Sequence, residues 1–238
     1  MSAFESTITS VVITVDPDDV SGSQNDDTLT GTDSEEIIFG FDGRDILSAL
    51  GDDDVVYGNT GMDSLSGGAD DDTLYGGQDD DAVWGNDGDD LLFGGRNGDV
   101  GITVIDNEVI FVNGQDSLSG GAGKDIIYGN QGDDLLAGGA DDDSLYGGQD
   151  NDRLSGGAGD DSLVGGRGSD SFVYAAADED RDTIADFDVS QDQILLQSGN
   201  EVSSRFDLGD DALLSLSSGT RIQLIGVADP DAVAVAVF

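Results

Sequence analysis

Between Gly22 and Val173 an acidic residue returns every nine positions, and this period restricts the possible folds more than any other feature. Asp27, Asp45, Asp54, Asp63, Asp72, Asp81, Asp90 and Asp99 are separated by nine residues or a multiple of nine, with Glu36 in the one gap. Asp116, Asp125, Asp134, Asp143, Asp152, Asp161 and Asp170 form a second series. Two positions after each acid stands an apolar residue, for example Leu47, Val56, Leu65, Leu118 or Ile127, except at Asp99. A glycine-rich run precedes the acid, as in Gly67-Gly68-Ala69. Counting the acid as the sixth position of a unit, the fourth is Gly, Asn or Asp (Gly43, Asp52, Asn97, Gly123, Asp141). These residues tolerate positive φ, so the chain is expected to bend there. The three residues after the acid alternate outward, inward, outward as a strand would. A unit is then a tight turn plus a three-residue strand. Two units make a coil of eighteen residues, with strands on two opposed faces and aliphatic side chains between them.

Such a core is thin. One buried aliphatic side chain is worth roughly 1.5–3 kcal/mol, less than the backbone entropy of the nine residues it must order. Stacked aspartates add repulsion, so a cation is expected in the turns. Calcium suits them because it takes six to eight oxygen ligands and accepts backbone carbonyls beside carboxylates. Magnesium demands stricter octahedral geometry, and zinc prefers His or Cys, which the chain lacks. Turns one coil apart are eighteen residues apart, which sorts the acids onto two edges. Asp27, Asp45, Asp63, Asp81, Asp99, Asp116, Asp134, Asp152 and Asp170 fall on one edge. Glu36, Asp54, Asp72, Asp90, Glu108, Asp125, Asp143 and Asp161 fall on the other, where the longer glutamates should spoil bridging geometry. Neighbouring Asp pairs suggest about a dozen ions at most, of the weak, extracellular kind. Solvated surface is the expectation for third- and fifth-position acids (Asp42, Asp53, Asp71, Asp80, Asp142, Asp160). Fourth-position Asp52, Asp70, Asp79, Asp141 and Asp150 either lend a carboxylate or only tolerate the bend.

Gly120-Gly121-Ala122-Gly123-Lys124-Asp125-Ile126-Ile127-Tyr128 matches G-G-x-G-x-D-x-U-x at every fixed position. The series resembles the repeats-in-toxin (RTX), or hemolysin-type, family over about two thirds of the chain. That resemblance implies an all-β fold, a right-handed parallel β-roll, with calcium bridged between stacked turns by the sixth-position acids. The implied ligands are the fifteen aspartates of the two series, Asp27 to Asp99 and Asp116 to Asp170.

With 52 acidic against 8 basic residues, the net charge of −44 excludes nucleic acid as a partner and opposes anionic membranes. Without metal, such a chain with 37 glycines reads as disordered, so binding and folding are expected to be one event. The absence of Cys fits an exported protein stapled by metal. Met1–Val15 does not read as a cleavable signal, and no transmembrane run is present. The ending Asp229-Pro230-Asp231 plus an apolar tail to Phe238 resembles the uncleaved C-terminal signals read by type I exporters, and reads equally well as a final edge strand.

Residues 1–21 hold a β-prone run, Ile8–Val15, expected to cap the first coil, with a strand-donating assembly arm as the alternative. The period stumbles over 96–115. A hairpin turning at Asp106-Asn107 and a degenerate coil are both possible there, and the degenerate coil is preferred. It keeps Phe111 in an outward aromatic column with Phe39, Tyr57, Tyr75, Phe93, Tyr128 and Tyr146. That column reads either as packing or as a face for sugar or protein. From 174 to 238 a capping segment is expected, with Arg181–Asp188 and Gln191–Leu196 resembling RTX caps. Ala212–Leu216 and Thr220–Ile225 should form a hairpin. Asp182, Asp186 and Asp188 are expected in structural hydrogen bonds rather than around a further ion.

No His is available for a triad, a zinc site or general-base work, so no catalytic residue is assigned. The leading expectation is an extracellular or cell-surface, non-catalytic calcium-binding roll with a structural or adhesive role and possible self-assembly. The alternatives are a polysaccharide-binding module and an accessory module of a secreted enzyme.

Overall fold

A computed structural model describes residues 19–95, 115–175 and 180–238, together with the backbone of 103–105 and 108–110. Its strands form two long sheets packed face to face. One begins with Val20–Ser21 and continues through Ile37–Asp42, Val55–Thr60, Thr73–Gln78, Leu91–Gly95, Ile126–Gln131, Ser144–Gln149, Ser162–Arg167 and Arg181–Ile184. The other begins with Thr28–Thr30 and runs through Ile46–Gly51, Ser64–Ala69, Ala82–Asp87, Ser117–Ala122, Leu135–Ala140, Arg153–Ala158, Ser171–Tyr174 and Gln193–Leu196. Successive strands alternate between sheets and pair in parallel with the strand one coil away, as Val56 does with Leu74 and Leu136 with Leu154. This is the expected parallel β-roll, with an eighteen-residue register over most of its length.

The core is the expected single file: Ile38, Val56, Leu74, Leu92, Ile127, Leu145 and Leu163 from one sheet face Leu47, Leu65, Val83, Leu118, Leu136, Leu154 and Phe172 from the other. Most strands are six residues long rather than three, because backbone pairing runs on through the glycine positions that carry no side-chain pattern. Positive φ occurs at the fourth position as expected (Gly43, Asp52, Asp70, Asp141, Gly168). It occurs also at the second, at Phe41, Leu50, Asn59, Asn86 and Asn130. Leu50 (φ 93°) is the costly case, since a γ-branched residue in this region is strained by about 1–2 kcal/mol. Its side chain is 45% exposed and returns little burial. Leu50→Gly is expected to stabilise the calcium-saturated roll by about 1 kcal/mol in thermal unfolding. A fall in melting temperature would show that Leu50's packing outweighs its strain.

The preferred degenerate coil is not what the described part of 96–115 forms. Thr103–Ile105 pairs antiparallel with Glu108–Ile110, the hairpin alternative. The roll closes beneath it: Leu118 pairs directly with Val83, and Ile127 with Leu92. The phase of the aromatic column is kept without Phe111, which lies outside the described residues, because Tyr128 stacks directly on Phe93. The proposed cap strand Ile8–Val15 also lies outside the described residues.

Parallel stacking continues past Val173, since Leu163 pairs with Ile184 and Phe172 with Ile194. The segment assigned to the cap therefore supplies one more coil. The expected hairpin is present as Ala212–Leu216 against Arg221–Leu224, with Val202–Asp207 as a third antiparallel strand. Val235–Val237 pairs in parallel with Ile194–Leu196, so the tail is an edge strand in this fold.

Candidate metal centres in the turns

Along the repeat strands the inward positions are the sixth-position acid, the aliphatic two residues later and the first-position residue two beyond that, glycine in the described units as far as Gly165 except at Ala49. The acids are accordingly buried, with Asp45 to Asp90 and Asp116 to Asp170 at no more than 3% exposure. Each sixth-position Oδ1 accepts a hydrogen bond from the backbone N–H of the acid one coil earlier. Asp45 takes one from Asp27, Asp63 from Asp45, Asp134 from Asp116 and Asp152 from Asp134, all at 2.8–2.9 Å. The other edge repeats this from Glu36 through Asp54, Asp72 and Asp90 to Asp125, Asp143 and Asp161.

Three of the sequence expectations change here. The first row passes straight from Asp81 to Asp116 (2.9 Å), and Asp99 lies outside the described residues. The second passes from Asp90 to Asp125 and bypasses Glu108. Both rows run one step further than expected: Asp161 N–H donates to Asp182 and Asp170 N–H to Asp192. The spacings of 21 and 22 residues hide these two acids from a nine-residue count. The signal that could have found them is local, because Ile184 and Ile194 stand two positions after them just as in the repeats.

The second carboxylate oxygen is where the site lies. Twelve buried Oδ2 atoms, on Asp45, Asp54, Asp63, Asp72, Asp81, Asp90, Asp116, Asp125, Asp134, Asp143, Asp152 and Asp161, have no hydrogen-bond partner. A buried unpaired carboxylate oxygen is costly and calls for an explanation. Eleven of them crowd a first-position glycine, while beside Asp54 that position is the buried Ala49. A Cβ added to Gly138 would lie 2.1 Å from Asp143 Oδ2 and 2.5 Å from the Gly156 carbonyl oxygen of the next coil. Gly129 (Asp134 Oδ2, 2.4 Å; Gly147 O, 2.6 Å) and Gly58 (Asp63 Oδ2, 2.5 Å; Gly76 O, 2.4 Å) repeat the arrangement. Carboxylate and carbonyl oxygens thus converge at successive rungs. No three acidic side chains meet at one point among the described residues. A cation there would take single-file carboxylates together with main-chain oxygens, a donor set that suits calcium. Asp27 and Glu36 differ, since their second oxygens already accept protein donors.

Burial drives these carboxyls upward, aided by their neighbours' charge and opposed by the Oδ1 hydrogen bond. Asp81 is pushed up to about 9, with Asp116 and Asp63 beside it adding repulsion. Asp143, Asp152 and Asp182 rise to about 8. Asp63, Asp72, Asp90 and Asp134 rise to about 7. Asp54, Asp116, Asp125, Asp161 and Asp170 rise to about 6, and Asp45 is raised as well.

Outside the rows, fifth-position acids are exposed as expected but are also tied to a neighbouring coil. Asp71 N–H donates to Asp53 Oδ1 (3.1 Å) and Asp89 N–H to Asp71 Oδ1 (2.8 Å). Fourth-position Asp52, Asp70, Asp79, Asp141 and Asp150 all have φ of 75–79°, so the bend is one reason for their place. Asp186 caps Gly165 and Gly166 N–H, and Asp188 accepts from Ser190 and Gln191, in keeping with structural roles. The outward aromatics Phe39, Tyr57, Tyr75, Phe93, Tyr128 and Tyr146 stack in one column, with centroids 4.8–5.3 Å apart and nearly parallel planes.

A parallel β-roll whose turns hold two rows of unpaired carboxylate oxygens is a cation-binding repeat scaffold. The chain belongs to the RTX calcium-binding nonapeptide repeat family, which it matches over 21–56, 39–74, 57–92, 66–100, 112–145 and 137–172. Comparison with curated proteins gives no match. Among solved structures the chain is similar to the extracellular lipase LipA of Serratia marcescens at 17% identity and a TM-score of 0.30. The similarity covers 91% of this chain and 40% of the lipase.

Proposed function

We propose that the protein is a secreted, non-catalytic calcium-binding β-roll that folds on meeting extracellular calcium and serves a structural, adhesive or surface-associated role. About a dozen ions would sit between successive rungs of the two rows, held by the interior aspartates and turn carbonyls. The observation that carries this reading is the set of twelve buried Oδ2 atoms without a partner. Calcium bound there would neutralise charge and tie adjacent turns together. Among the described residues no helix is long and apolar enough to cross a membrane.

A carbohydrate-binding role for the aromatic column is less well supported. A sugar ring stacks on an open aromatic face, and these rings cover one another's faces and turn their edges outward. Equilibrium dialysis of the wild type and of Tyr57→Ala/Tyr75→Ala, with calcium and soluble polysaccharide, separates the two roles. Both chains are expected to retain calcium and neither to retain polysaccharide, while the variant melts earlier. Polysaccharide retained by the wild type and lost by a folded variant would favour the sugar-binding module. No calcium retained by the wild type would reject the calcium reading.

A further inference from the structure

The first rung of each row is built differently from those that follow. Gly22 and Gly31 shape the same cradle as the interior glycines: a Cβ on Gly31 would lie 2.6 Å from Glu36 Oε2 and 2.7 Å from the Ala49 carbonyl. Here, however, the carboxylates are occupied. Ser23 donates its N–H (2.6 Å) and its hydroxyl (2.9 Å) to Asp27 Oδ2, and Asn25 Nδ2 supports that hydroxyl at 3.3 Å. Thr32 donates its N–H to Glu36 Oε2 (3.0 Å) and its hydroxyl to Oε1.

Ser23 and Thr32 hold the second position of their units. Among the described residues that position otherwise has positive φ, from Phe41 and Leu50 through Asn59 and Asn130 to Gly166. Ser23 and Thr32 do not. A β-branched residue such as Thr32 is strongly disfavoured in the left-handed region. Its backbone instead turns the N–H and hydroxyl onto the acid. A donor hydrogen aimed at a carboxylate oxygen competes with a cation for that oxygen.

We propose that Ser23 and Thr32 are end plugs: their donors stand where a cation would bind, so the ion rows begin at Asp45 and Asp54 and the first coil closes without metal. The inference rests on the calcium reading above and adds a defined stop to it. A plug supplies protein donors in place of an ion at these cradles and keeps the first coil shut when calcium is scarce.

The test counts calcium ions per full-length chain by equilibrium dialysis at saturating calcium, with circular dichroism as the check on folding. Ser23→Gly and Thr32→Gly/Glu36→Asp each restore the interior pattern on a different edge. Each variant is expected to bind one more ion than the wild type, and the combination two more. Folded variants that bind the wild-type number would overturn the proposal. Loss of folding by both at saturating calcium would also overturn it, because calcium would then have failed to take the vacated place. A wild-type chain that binds no calcium would refute the parent reading, which is seen before any variant is made.

Discussion

Gly138→Ala is expected to raise the calcium concentration needed to fold the roll, although the chain accommodates Ala49 at the corresponding place beside Asp54. Gly138 does not have positive φ, so its backbone would accept alanine. What opposes it is space: the new methyl would stand 2.1 Å from Asp143 Oδ2 and 2.5 Å from the Gly156 carbonyl, where the two oxygens converge. The carbonyl belongs to a stacked coil and cannot swing aside. Overpacking alone costs about 1–3 kcal/mol, and losing an ion adds to it. We therefore expect about 3 kcal/mol or more. Gly51→Ala is the control, because its Cβ would meet only Ala69 O at 3.9 Å. Calcium titrations followed by circular dichroism should move the midpoint sharply upward for Gly138→Ala and hardly at all for Gly51→Ala. Equal shifts would mean that glycine serves chain flexibility here and not the cation's place.

The metal-free chain should respond to acid in the opposite sense from an ordinary protein. An unfolded aspartate titrates near 3.9, whereas the metal-free roll raises its row carboxyls to about 6 (Asp54, Asp161), 7 (Asp72, Asp134), 8 (Asp143) and 9 (Asp81). A folded-state pKa above the unfolded one contributes stability that is fully present below the unfolded value and disappears as pH rises through the folded values. In chelator, lowering the pH from 8 to 5 should increase β-structure. Circular dichroism of the chelated chain across that range would record the effect. A chelated chain more ordered at pH 8 than at pH 5 would contradict this sign.

How much of this was legible depended on whether side chains or backbone carried the information. Asp45, Leu47 and Gly40 show their places in the sequence because the acid, aliphatic and glycine all face inward at fixed offsets. The six-residue strands did not show, because glycine carries no alternation although its backbone still pairs. Asp99 keeps the period by lying nine after Asp90, while Gly101 stands where the inward aliphatic belongs, and the described row runs from Asp81 to Asp116. The hairpin shows as antiparallel pairing between Thr103–Ile105 and Glu108–Ile110, which a nine-residue count does not weigh. Asp182 reads as a structural hydrogen-bonding group and Asp192 is passed over for the opposite reason, since inserted residues broke the count but left the local acid-x-Ile pattern intact. The plugs at Ser23 and Thr32 depend on a change of backbone region at the second position, visible only once the turns are seen side by side.

Far-ultraviolet circular dichroism together with small-angle scattering, in chelator and then in millimolar calcium at pH 7.5, tests the central claim most directly. The two rows of buried, unpaired carboxylate oxygens and a net charge of −44 predict an expanded chain without calcium and a compact, β-rich one with it. Identical spectra and dimensions in the two conditions would contradict the account.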